Sequence, residues 1–101
     1  MSNAAEIQIT LTNKKGLHAR AAAKFVKAVG QFSVKAQVAK VAGASVVQGA
    51  EPVETSGGSI LGLMMLGAEY GSTLRIRFEG SQAQEALDAL KKLLEERFGE
   101  E

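Results

Sequence analysis

The chain has 101 residues, 46% of them apolar and 23% charged, with a formal net charge of +1; this describes a single globular domain with a modest core, too apolar for disorder. It contains no cysteine and one histidine, which excludes disulfides and thiolate-bound metals and leaves no ligand set for a structural zinc. No apolar run reaches membrane-spanning length and no basic-then-apolar signal segment opens the chain, which points to a cytoplasmic protein without a membrane partner.

Residues 1–5 read as an N-terminal tail, in which Ser2, Asn3 and Ala4 resemble an expression scar. Ile7, Ile9 and Leu11 then alternate with Gln8, Thr10 and Thr12, the pattern of a half-buried strand. After a junction over residues 13–18, Ala22, Phe25, Val26 and Val29 recur at helical spacing, and Gly30 ends the helix. Val34, Ala36 and Val38 alternate with Lys35 and Gln37, giving a second strand. For a third strand there are two candidates, Ser45–Val47 and Val53–Thr55, interrupted by Gly49 and by Pro52, the one proline. Leu74, Ile76 and Phe78 alternate with Arg75, Arg77 and Glu79 as a further strand. Ser81 and Gln84 have the spacing of a capping box. Ala83, Ala86, Leu87, Leu90 and Leu94 follow as one apolar stripe that ends near Gly99. The order predicts an α+β domain, a small sheet with amphipathic helices on one face.

Charge is laid out unevenly. Residues 7–50 hold seven Lys or Arg (Lys14, Lys15, Arg20, Lys24, Lys27, Lys35 and Lys40) and no acid, whereas residues 51–101 hold ten Asp or Glu and five Lys or Arg. Such asymmetry fits a basic surface that meets an anion or an acidic partner. On charge alone, solvation of exposed faces is the simpler account.

The single histidine, His18, stands in "KKGLHARAAAKF" at the predicted helix start. A lone histidine is more often a surface residue than a reactive one, but this setting points the other way. A helix start presents free backbone N–H groups and a partial positive charge, which together bind anions such as phosphate. Gly16 permits unusual backbone angles and close approach, and Arg20 offers a planar fork of donors to phosphoryl oxygens. A neutral imidazole at such a position is a competent nucleophile and can form a covalent intermediate. The sequence places no acid near it and offers no second histidine for a hydrolytic triad. The site reads as one that accepts and releases an anion.

"SGGSILGLMMLGAEYG", residues 56–71, is dense in apolar residues between glycines. At 3.6 residues per turn, Ile60, Leu61, Met64 and Met65 share one broad side and Leu63 and Leu66 the other. A short helix in a small domain cannot easily bury both. Either the segment is wholly core, or Leu63 and Leu66 anchor it and the other four form a docking patch suited to flexible, polarisable methionines.

"GLHARAAAKFVK" and "GSILGLMMLGAEYGSTL" together resemble the active-site and regulatory motifs of the HPr family, the histidine phosphocarriers of the bacterial phosphoenolpyruvate-dependent phosphotransferase system. The resemblance runs from the first strand to the last helix. It implies an open-faced β-sandwich, βαββαβα, with a four-stranded antiparallel sheet and helices on one face. It implies that His18 accepts a phosphoryl group on Nδ1 from Enzyme I and hands it to an EIIA-type protein, with Arg20 beside the phosphoryl group. It places Ser59 on the serine that HPr kinase/phosphorylase modifies in some members, and Ile60, Leu61, Met64 and Met65 in the segment that docks on partners, with Lys24 and Lys27 steering them. The protein would be a monomeric, stoichiometric carrier with a phosphohistidine intermediate and no cofactor or metal, rather than a stand-alone enzyme. Three departures stand out: Ala21 replaces the usual proline, as in the nitrogen-related, NPr-like branch; Gly58 replaces the lysine usual before the serine; and residues 42–58 carry an insertion, expected as a protruding loop or longer hairpin.

Other readings use the same residues. A regulatory HPr-like protein would control partners through the phosphorylation state of His18 or Ser59 instead of feeding sugar uptake. A metabolite-binding module of the ACT type has a similar count of strands and helices. Nucleic acid ranks last, because the chain has one tyrosine, no tryptophan and a near-neutral pI.

Overall fold

In the computed structural model the described residues are 3–43, 46, 47 and 49–100. Strand β1 spans Ala4–Thr10, helix α1 Ala19–Val29, β2 Lys35–Ala42, β3 Glu54–Ser56, helix α2 Ile60–Met65, β4 Thr73–Glu79 and helix α3 Ala83–Glu95, followed by a 3₁₀ turn at Arg97–Gly99. The strands form one antiparallel sheet in the order β1-β4-β2-β3. This is the predicted βαββαβα order. Two boundaries differ from the expectations. β1 begins at Ala4, paired with Glu79, so Ala4 and Ala5 belong to the sheet and not to a tail. The third strand is the later candidate, shifted by one residue to Glu54–Ser56; of the earlier one, Val46 and Val47 lie outside any strand and Ser45 lies outside the described residues.

Strand alternation sorts the two faces of the sheet. Ile7, Ile76, Val38 and Thr55 stand opposite one another across the four strands. On that face Ala36, Val38, Leu74, Ile76 and Phe78 are buried against Ala22, Phe25 and Val29 of α1, Leu63 of α2, and Ala83, Ala86, Leu90 and Leu94 of α3. Burying a side chain the size of Phe25 or Phe78 contributes roughly 1.5–3 kcal/mol. The opposite face is polar: Arg75 pairs with Glu54 at 3.0 Å, and Arg77 bridges Glu6 at 3.1 Å and Glu54 at 3.3 Å.

The capping box does not form. α3 starts at Ala83, and Gln84 Nε2 donates instead to Asp88 Oδ1 at 3.0 Å, one turn along the same helix. The side chain of Gln82 is drawn away as well, its Oε1 accepting the Ser33 backbone N–H at 2.8 Å. α3 also stops at Glu95, short of Gly99. No helix among the described residues is long and apolar enough to cross a membrane.

Candidate functional site

The junction before α1 is built around Gly16. Its φ is +62°, and a Cβ there would lie 2.4 Å from the Ala68 carbonyl oxygen, so a glycine is needed for both the angle and the approach. The contact is clamped by the Leu17 N–H, which donates to Ala68 O at 2.9 Å, and by the Gly16 N–H, which donates to Asn13 O at 3.1 Å. Leu17 is buried. Chain direction is thereby fixed just before His18, the N-cap of α1, whose extended backbone (φ −79°, ψ −179°) lets its carbonyl accept the Ala22 N–H at 2.8 Å. The imidazole makes no capping bond. The N–H groups of Ala19, Arg20 and Ala21 belong to the first turn, where a helix has no carbonyl to offer them. They form a positive rim beside the ring.

His18 nevertheless has an acid beside it, contrary to the expectation from sequence. Glu100 Oε2 lies 2.6 Å from His18 Nε2, and Glu100 Oε1 accepts from Asn13 Nδ2 at 3.1 Å. Asn13 is buried and its Nδ2 also donates to Gly16 O at 2.7 Å, while its Oδ1 is buried without a partner among the described residues. Partial burial works to raise the Glu100 carboxyl pKa, but the hydrogen bonds from Asn13 and His18 and the charges of His18 and Lys24 outweigh it, so the net shift is downward. The carboxyl is therefore ionised at neutral pH and can only accept, which puts the hydrogen on Nε2. The turn that delivers Glu100 holds Arg97 and Phe98 at φ 57° and 56°, a conformation costing an L-residue roughly 1–2 kcal/mol. Burial of Phe98 at 1% exposure and a hydrogen bond from Lys24 Nζ to the Phe98 carbonyl hold it there.

Arg20 is exposed on the first turn of α1 and makes no ion pair among the described residues. Lys24 is exposed but engaged with the Phe98 carbonyl. Lys27 is nine residues from His18, about 13 Å along the helix, in a shallow groove with Lys92 and Glu96 of the α3 region. It is not brought to the imidazole. Ser59 caps α2, its Oγ accepting the Gly62 N–H at 3.0 Å. Of the six apolar side chains of that segment, Leu63 is buried and Leu66 half-buried, whereas Ile60, Leu61, Met64 and Met65 are 41%, 68%, 42% and 77% exposed. The segment is thus anchored on one side only. The Gly16–Ala68 contact ties the end of this segment to the His18 junction.

Glu100 is the site residue that sequence reasoning missed. Its one sequence signal is Phe98, which continues the apolar stripe of α3 past the helix end.

A protein-family model described as "PTS HPr component phosphorylation site" matches residues 5–96. The chain is 42% identical over 94 residues to the phosphocarrier protein HPr of Pseudomonas aeruginosa, covering 93% of this chain and 94% of that protein. It is 38% identical over 95 residues to the phosphocarrier protein NPr of Shewanella violacea, covering 94% and 93%. Among solved structures, HPr of Thermoanaerobacter tengcongensis superposes with a TM-score of 0.81 at 36% identity, over 96% of this chain and 98% of that one. HPr of Bacillus anthracis gives 0.76 at 31%, over 90% and 96%. By sequence and by fold, the chain belongs to the HPr family of phosphocarriers of the phosphotransferase system.

Proposed function

We propose that His18 is the phosphoryl-accepting residue, taking the group from Enzyme I on Nδ1 and passing it to an EIIA-type protein in the cytoplasm. The observation that carries this is the imidazole at the start of α1 with Nε2 already held by Glu100 at 2.6 Å. A neutral ring protonated on Nε2 keeps its lone pair on Nδ1. The incoming phosphoryl oxygens meet the rim of first-turn N–H groups, to which Ala21 adds a donor that proline would lack, and Arg20 supplies a mobile cation. Transfer of this kind depends on positioning and charge stabilisation along the line of the moving group. Ile60, Leu61, Met64 and Met65 give a partner an apolar seat joined to the His18 junction, and Lys14, Lys15 and Arg20 favour an acidic rim around it.

The test is incubation with phosphoenolpyruvate and Enzyme I. An acid-labile adduct of one phosphoryl group is expected on the wild-type protein and none on His18→Ala; an unmodified wild type, or a variant that still gains the mass, would end the assignment.

A second reading, regulation by contact, draws on the capping serine. Phosphate on Ser59 would sit at the start of α2, stabilised by the local N–H groups but adding negative charge beside the exposed apolar face. Ser59→Glu should then weaken Enzyme I docking; equal affinity would argue against the switch.

A further inference from the structure

The turn at Arg97–Gly99 sends the chain back towards the start of α1, and it lies past residue 96, where the family match ends. Its two left-handed non-glycine residues are an uphill conformation that packing of Phe98 maintains. The result is a carboxylate whose two oxygens have separate duties. Oε1 is held by Asn13, which is itself fixed to the Gly16 carbonyl, and Oε2 meets His18 Nε2.

We infer that Glu100 is a positioning residue for phosphoryl transfer: braced by Asn13, its carboxylate occupies His18 Nε2 and so confines reaction to Nδ1. This rests on the reading of His18 as acceptor. An imidazole has two nitrogens that can attack phosphorus, and the choice between them is set by what the other one bonds. In the step itself the Nδ1 lone pair forms the new N–P bond while the bond from phosphorus to the donor's leaving atom breaks, its electron pair leaving with the donor. His18 gives up no proton. Nε2 keeps its hydrogen, and the positive charge the ring gains is met by Glu100 across a charge-assisted hydrogen bond. Asn13 acts at one remove, by keeping the carboxylate from swinging into solvent.

The proposal is tested with potassium phosphoramidate, a small donor that needs no partner protein. Wild type, E100Q and E100A are treated with it, and the adducts on ¹⁵N-labelled protein are assigned to a ring nitrogen by NMR. The wild type should carry the phosphoryl group on Nδ1. E100A, with Nε2 released, should show the Nε2 share rise by roughly fivefold or more. E100Q has one acceptor oxygen for the two donors, Asn13 Nδ2 and His18 Nε2, so its Nε2 share should fall between those of wild type and E100A. A merely structural role for the turn would lower the yield without moving this ratio. Nδ1-only product from E100A overturns the proposal and leaves His18 as the acceptor, whereas a wild type that is not modified on His18 by either phosphoramidate or Enzyme I overturns the reading beneath it.

Discussion

Gly16→Ala probes the contact on which the direction of His18 depends. The added methyl would stand 2.4 Å from Ala68 O and 2.7 Å from Glu69 Cα, at a φ of +62°. The left-handed backbone alone costs an L-residue roughly 1–2 kcal/mol. Relieving the overlap means moving backbone, not a flexible side-chain end, and the displaced carbonyl is the one that accepts the Leu17 N–H at 2.9 Å. Losing that bond adds about 1 kcal/mol or more, for a total of roughly 2–4 kcal/mol. Gly71→Ala is the matched control, since Gly71 also has positive φ (+87°) but nothing within 4 Å of the point where a Cβ would stand, so it should lose only the roughly 1–2 kcal/mol of backbone strain. In a domain of this size each kcal/mol moves Tm by about 4–8 °C. Circular-dichroism melts should therefore place Gly16→Ala about 8–32 °C below wild type and Gly71→Ala about 4–16 °C below. Equal Tm values for the two variants would refute the packing argument.

The two sides of α2 should separate cleanly: Leu63→Ala opens the core and should cost about 2–5 kcal/mol, while Leu61→Ala should stay within about 0.5 kcal/mol in stability and instead lower Enzyme I affinity. Ser59→Ala removes the bond to the Gly62 N–H and should cost about 1 kcal/mol, most of it restored by Ser59→Asp, as read by denaturant titration. The depressed Glu100 carboxyl gives a pH signature. A carboxyl whose folded pKa lies below its ordinary value of 4.5 contributes stability that is present above that value and lost as pH falls through the folded one. The Tm gap between wild type and Glu100→Gln should therefore be full at pH 6–7 and shrink below about pH 4.5; a gap that widens on acidification would show that the carboxylate is not the stabilised form.

Most of the fold was legible because its strands and long helices bury one face each. Leu74, Ile76 and Phe78 against Arg75 and Arg77 could be placed from alternation alone, and so could the α1 and α3 stripes. β3 is three residues long, too short to show a period, and its partner strand decides it. The Ser81–Gln84 spacing misled because Gln84 found a closer carboxylate at Asp88. At the site, His18, Gly16 and Arg20 lie within five residues and share a local logic. Glu100 does not: its approach to His18 spans 82 positions and passes through left-handed angles at an arginine and a phenylalanine, which nothing in their side chains announces.

That separation in sequence bears on how the protein comes into being. β1 is paired along its whole length with β4, so this strand waits for the synthesis of residues 73–79 before it has a partner. At 5–20 residues per second, roughly 4–16 s pass between synthesis of His18 and of Glu100. During that interval α1 is an amphipathic, basic segment without a core to cover, of the kind that aggregates or is held by chaperones. Closing such distant contacts is slow, because the loop entropy is lost before any contact repays it. The imidazole is made early and becomes a finished site late, when the sheet is zipped and Phe98 is in place.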